Sequence, residues 1–145
     1  MRSQHVMVAR RDAAQATLDR FQDVPHAWGR FDCAKMTAFH LRQLGYRVGI
    51  SKAGEYSSLL GAKRALARLG WPSVSHALDE VLHLPRIGFA SLLVGDVLQI
   101  PSEDGLDAMA VALGNGRALG YHPDAPGAVV VQPIEITAAW RVVPK

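Results

Sequence analysis

The feature of this sequence that most constrains its fold is a change of patterning at Gly95. Before that residue, apolar side chains recur every three or four positions, as they do on the buried face of a helix. After it, short runs of strand-forming residues alternate with Gly, Pro, Asn and Asp. Helices followed by consecutive strands favour an α+β domain, in which N-terminal helices pack on a C-terminal antiparallel sheet.

Four helices are predicted in the first half of the chain. Capping and stop signals place them at residues 10–21, 33–44, 58–69 and 75–84. Asp32 is a suitable N-cap for the second helix, so Cys33 lies in its first turn. Residues 1–9 are predicted to form an N-terminal arm, and residues 10–145 a single domain, since a chain of this length supports one core.

Four strands are predicted in the second half, at residues 96–100, 108–113, 117–122 and 128–132. Asn115-Gly116 separates the second strand from the third. This dipeptide favours a tight type I′ turn, because both central residues of that turn take positive φ. A two-residue turn pairs His122 with Met109, one place out of register with Ala108, and a β-bulge would be needed to bring His122 near Cys33.

The composition excludes several classes of protein. Apolar runs are far shorter than the roughly 20 residues that span a membrane, and the N-terminal apolar run is too short for a secretion signal. We therefore expect synthesis in the cytoplasm without a signal peptide. The net charge of +3 is spread along the chain, and Lys63, Arg64 and Arg68 form its only local cluster, so nucleic-acid binding is not expected.

The single cysteine, Cys33, limits the chemistry further. It excludes an intramolecular disulfide and a multi-thiolate zinc site. His5, His76 and His83 lack the spacing of metal ligands, so no metal or other cofactor is expected. The first turn of a helix favours a reactive thiolate, but a buried cysteine in the same place is simply a small apolar residue. Position alone leaves both interpretations open.

Three sequence motifs carry more specific information. Residues 28–33 read W-G-x-x-D-C, residues 95–98 begin with Gly-Asp, and residues 108–116 end in Gly-Asn-Gly. In this respect the chain resembles the NlpC-type cysteine peptidases of the papain-like superfamily. In that family the cysteine opens a helix and Gly-Asp begins the first strand of the sheet. The next strand begins with the catalytic histidine and runs into a Gly-Asn-Gly-like turn.

The resemblance implies a role for each matching residue. Cys33 takes the place of the nucleophile, while Trp28, Gly29 and Asp32 belong to the motif that shapes the groove and the start of the helix. Ala108 takes the place of the catalytic histidine. A methyl group can neither accept the thiol proton nor return it to a leaving amine, so the usual cysteine–histidine pair is absent.

Other histidines are candidates for the missing base. His40 lies seven residues along the helix from Cys33, about 10 Å away, and is expected in the core or the groove. His122 matches the family's third polar position, and His26 takes the place of an aromatic residue that shapes the groove. Either His122 or His26 is a candidate base. Alternatively, His122 is an exposed residue at the end of a strand, and His26 is a loop residue without a catalytic role.

The compact length and the closing residues 138–142 resemble a small family encoded in the tail modules of phages and prophages. This implies a place at the virion tail tip, with tail-tip hub or distal tail proteins as partners. One hypothesis is a structural or binding component that docks through its groove and residues 1–9, with a degenerate peptidase fold. The alternative is an active cysteine endopeptidase that cleaves peptidoglycan with Cys33 and either His122 or His26.

Overall fold

The computed structural model describes residues 2–102, 108–122 and 125–145, with the side chains of residues 2–4 and 51 excepted. The helices are α1 (Arg2–Phe21), α2 (Cys33–Gln43), α3 (Leu59–Arg68) and α4 (Val74–His76), and the strands are β1 (Val97–Ile100), β2 (Ala108–Gly114), β3 (Arg117–Tyr121), β4 (Ala128–Val131) and β5 (Ala138–Trp140). Short 3₁₀ turns lie at Ile50–Ala53 and Phe89–Ser91. In the described residues, no helix combines the length and apolar character that crossing a membrane requires.

The first helix is longer than the sequence analysis predicts. It begins at Arg2, so residues 2–9 are helical where an arm was expected, and Met1 lies outside the described residues. No Gly or Pro interrupts residues 2–21, and most of the residues before Arg10 have ordinary helix propensity. The helix therefore continues through this segment without a break.

The fourth predicted helix is divided. Ser73, and not Ser75, caps it, because the Ser73 side chain accepts a hydrogen bond from the His76 N–H. After His76 the chain continues as a π-helical turn at Ala77–Val81. This turn carries Asp79, which accepts hydrogen bonds from the indole of Trp140 and the guanidinium of Arg86.

The strands form one antiparallel sheet in the order β4-β3-β2-β1-β5. The predicted α+β architecture, with N-terminal helices and a C-terminal antiparallel sheet, is confirmed. The sheet has one strand more than the four predicted, because β5 pairs with β1 and places Trp140 opposite Val97. Nothing local marks three residues as a strand, so this pairing had no clear signal in the sequence.

The sheet is apolar on both faces. Met109 and Val111 belong to the clusters that include residues of α1 and α2, so this face packs against the helices. Ala110 and Ala112 belong to a cluster on the opposite face, which loop residues such as Ile136 partly cover. Because successive residues of a strand alternate between faces, the two sets interleave along β2.

The β2–β3 hairpin has the predicted turn with one addition. Asn115 and Gly116 both have positive φ, 56° and 74°, as a type I′ turn requires. A bulge between Ala112 and Gly114 then shifts the register by one residue, so that Val111 pairs with Leu119.

The bulge changes the predicted place of His122. Continued at the same register, the strands bring Tyr121 level with Met109 and His122 level with Ala108. The observed register between β2 and β3 therefore differs by one residue from the register that a two-residue turn predicts. The reason is the extra residue of the bulge, which the two-residue turn by itself does not require.

A buried carboxylate joins the helices to the sheet just before β1. Asp96 is inaccessible to solvent and accepts hydrogen bonds from the guanidinium groups of Arg10 and Arg141 and from the backbone N–H groups of Leu93 and Val142. Arg10 is also buried, and it donates to two backbone carbonyls as well. This network fixes α1 and the C-terminal segment against the first strand.

Candidate functional site

Cys33 is the first residue of α2 and is partly exposed. The helix begins there because the Asp32 carboxylate caps it, accepting a hydrogen bond of 2.8 Å from the Lys35 N–H. The second carboxylate oxygen of Asp32 accepts bonds of 2.8 Å from the Gly29 N–H and from the Tyr56 hydroxyl. Asp32 therefore fixes the loop before Cys33 and the segment that carries Tyr56, and the predicted cap is confirmed.

The glycine of the Trp28-Gly29 pair is required for steric reasons. Gly29 has a φ of 84°, and a Cβ added to it would lie 2.0 Å from the backbone oxygen of Tyr56. Any other residue at position 29 would have to push the Tyr56 segment away from Asp32. Glycine at this position therefore allows the loop and the Tyr56 segment to approach closely beside Cys33.

An open groove of about 920 Å³ runs past Cys33 and across the end of the sheet. Five of the residues singled out from the sequence line it: His26, Trp28, Cys33, Ala108 and His122. The other two, Gly29 and Asp32, lie behind this wall and support it. The fold thus gathers into one region residues that are as many as 96 positions apart, from His26 to His122.

The residue in the place of the expected base is part of this groove. Ala108 is the first residue of β2, and its methyl group contributes no titratable atom. His40, by contrast, is fully buried away from the groove, between the Thr17 hydroxyl and the backbone oxygen of Gly95. His40 therefore lies in the core, which is one of the two locations that the sequence predicts for it.

His26 lies in an aromatic wall of the groove. Its exposed ring packs edge-on against Trp28, with ring centroids 4.8 Å apart, and against Tyr121, at 5.2 Å. The backbone N–H of His26 donates a hydrogen bond to the backbone oxygen of Pro126 and so connects this loop to the segment before β4. The imidazole therefore lines the same groove as the thiol, on the side of Trp28 and Tyr121.

Two tyrosines near Cys33, Tyr56 and Tyr121, carry no motif that distinguishes them in the sequence. Burial raises the pKa of Tyr56, and the Asp32 carboxylate raises it further. Burial is also the main cause of the raised pKa of Tyr121, and the negative charges of Asp32 and of an ionised Cys33 add to it. Both hydroxyls therefore keep their protons, and that of Tyr56 donates its proton to Asp32. The alternation of Leu119 and Tyr121 along β3 was the signal that could have placed Tyr121 on the helix face.

A smaller cavity lies beside Cys33 and extends to α3. It has room for about 20 Å³, the size of one water molecule or methyl group, and its walls are mostly apolar. Trp28 and Cys33 border both this cavity and the groove. In the part of the chain that the structure describes, no group of His, Cys, Asp and Glu side chains is arranged to hold a metal ion.

The buried His40 makes stability depend on pH. Its Nε2 must carry a proton, because the Gly95 carbonyl at 2.7 Å can only accept one. Burial lowers the pKa of His40 below its usual value of about 6.5, and the nearby Arg10 contributes less. The folded state therefore binds fewer protons than the unfolded state when the pH falls below that value.

We expect the free energy of unfolding to be highest above about pH 6.5 and to fall as the pH decreases below it, by up to roughly 1.4 kcal/mol per pH unit from this group. Urea denaturation between pH 7.5 and 5 measures this. His40→Gln should be less stable at pH 7.5 but should have a flatter pH profile. An equal slope in both proteins would contradict the role assigned to His40.

Comparison with known proteins identifies one family. A family model with the description "Domain of unknown function (DUF6950)" matches residues 7–142. No curated protein matches the sequence.

Proposed function

Because this chain belongs to the DUF6950 family, whose description assigns no function, we propose one from the geometry of the groove. We propose that the protein is a structural or binding component of the tail tip of a phage or prophage, built on a degenerate NlpC-like, papain-like fold. In this proposal the groove beside Cys33 binds a peptide segment, either of a tail protein or of peptidoglycan. Cys33 forms part of its wall and is not a nucleophile.

The order of the structural elements supports this proposal. Cys33 opens a helix that packs on the sheet, Gly95-Asp96 leads into β1, and β2 runs into the Gly-Asn-Gly turn. This is the sequence of elements that the NlpC resemblance implies. The groove also lies where such a fold would carry its site, at the helix N-terminus and the strand ends.

The observation that carries the proposal is that Ala108 and Cys33 line the same groove. In the NlpC resemblance position 108 is that of the base, and this chain has a methyl group there. Loss of a general base costs on the order of 10²-fold or more in rate, and an alanine at position 108 has no group that could serve as one. A binding role requires only the groove, which is intact.

A second candidate function is an active peptidoglycan endopeptidase. One observation favours it: His26 and His122 both line the groove beside Cys33. Either imidazole would have to take the thiol proton and then pass it to the leaving amine as the peptide bond breaks. The endopeptidase therefore requires His26 or His122 to act as the base for Cys33, whereas the binding component requires no base.

Replacing Cys33 with alanine tests the main proposal. We expect purified protein to release no fragments from peptidoglycan. We also expect Cys33→Ala to bind soluble peptidoglycan peptides, or the peptides of a tail-tip protein, within about twofold of the unchanged chain, because removing one sulfur from the groove wall has a small effect on binding. Calorimetry and a chromatographic digest measure the two quantities. Fragment release that disappears in Cys33→Ala would establish the enzyme instead.

The proposed location has its own measurement. Quantitative mass spectrometry of purified virions should detect the chain at a fixed ratio to the tail-tip hub protein. A tail-tip role would be contradicted if the chain were present in the lysate but not in the particles. The peptide-binding experiment tests the groove independently of this result.

A further inference from the structure

The side chain of Tyr121 ends in a buried hydroxyl. Within the described residues, its oxygen is closed off from solvent and no donor or acceptor reaches it. Its ring lines the groove together with Cys33 and packs against His26. Nearly all buried polar side-chain atoms in proteins are hydrogen-bonded, because leaving one unpaired costs free energy. An exception beside a candidate site therefore requires an explanation.

Tyr56 provides the comparison within the same molecule. It is also partly buried, and it also lies close enough to Asp32 and Cys33 for their charges to act on it. Its hydroxyl, however, donates a 2.8 Å hydrogen bond to Asp32. The Asp32 carboxylate accepts from Gly29, Lys35 and Tyr56, whereas the Tyr121 hydroxyl reaches no acceptor among the described residues.

We propose that Tyr121 is a ligand-binding residue, and that its hydroxyl donates a hydrogen bond to a neutral carbonyl oxygen of a peptide bound in the groove. The oxygen is covered in the free protein, so the ligand reaches it by displacing the exposed imidazole of His26 that packs against the ring. This inference rests on the proposed peptide-binding function and specifies the chemistry at one point of the groove.

Charge decides between the two common acceptors in peptides, the amide carbonyl and the carboxylate. Asp32 places a buried negative charge close to Tyr121. A second anion at this position would be repelled by that charge, since a poorly solvated environment screens the repulsion only weakly. A neutral amide carbonyl accepts the same hydrogen bond without that repulsion. The site therefore favours the interior of a peptide chain over its C-terminus.

The first test needs no ligand. Tyr121→Phe removes a hydroxyl that has no partner, so its urea midpoint should equal or exceed that of the unchanged protein. Tyr56→Phe removes a hydroxyl that is bonded to Asp32, so its midpoint should fall. The two substitutions are chemically identical. A Tyr121→Phe midpoint as low as that of Tyr56→Phe would show that the Tyr121 hydroxyl already has a partner, and would overturn the proposal.

The second test uses small probes of the two acceptor types. N-acetylglycine N-methylamide carries only neutral amide carbonyls, while N-acetylglycine ends in a carboxylate. In NMR titrations, the neutral probe should shift the amide signals of Tyr121 and Cys33 and should bind more tightly than the acid. Tyr121→Phe should weaken the neutral probe by about three- to tenfold, the usual range for one hydrogen bond.

The outcomes distinguish this inference from the proposed function. Equal binding of the neutral probe by Tyr121→Phe and the unchanged protein, or no binding by either, would overturn the inference. If the neutral probe binds at Tyr121 but peptides from peptidoglycan and from tail-tip proteins do not, the inference holds and the proposed function fails.

Discussion

Replacing Arg10 with methionine should lower the free energy of unfolding by about 3–5 kcal/mol, the usual cost of breaking a buried ion pair from one side. Arg10 is buried and donates to the Asp96 carboxylate and to the backbone oxygens of Val94 and Val142. Methionine fills much of the same space but offers no donor. Asp96 would then be a buried carboxylate with fewer donors.

The neighbouring residue provides a matched control. Arg11 is exposed and pairs with Asp12, which is exposed too. Arg11→Met should change the free energy of unfolding by less than about 0.5 kcal/mol, because exposed ion pairs contribute little. Urea or thermal denaturation of the two variants measures the difference. Similar losses at Arg10 and Arg11 would contradict the structural role of the Asp96 network.

The second large effect concerns the thiol. Ala108→His should raise the rate of Cys33 alkylation by iodoacetamide at pH 6.5 by about tenfold or more, since a neighbouring imidazolium favours the thiolate, which is the reactive form. Ala108 and Cys33 both line the groove, so the new side chain enters the groove that the thiol borders. The rate as a function of pH, followed by mass spectrometry, gives the fraction of thiolate directly.

Ala108→Gln is the control for this experiment, because it adds a polar side chain of similar size that does not titrate. It should leave the pH profile of alkylation unchanged. If Ala108→His has the same profile as Ala108→Gln, then position 108 does not face the thiol, and the interpretation of Ala108 as the lost base is wrong. If the unchanged protein already reacts as rapidly as Ala108→His, another group activates Cys33, as the enzyme hypothesis requires.

Much of the candidate site could be predicted because its signals are local. The W-G-x-x-D-C segment placed Cys33 directly after an N-cap, and the structure has Asp32 in that role. The histidine candidates also came from the sequence, and His26 and His122 both line the groove. Tyr56 and Tyr121 were missed because their importance lies in what they contact, namely Asp32 for one and the groove for the other.

The sequence by itself determined the helix-to-strand order, the cap at Asp32 and the turn at Asn115-Gly116. Each of these depends on φ preferences and hydrogen bonds within a few residues, which neighbouring side chains specify. The tertiary structure alone decided the pairing of Trp140 with Val97, the bulge that pairs Val111 with Leu119, and the burial of the Tyr121 hydroxyl. These depend on packing between segments that are distant in the chain, where competing arrangements satisfy the same local preferences.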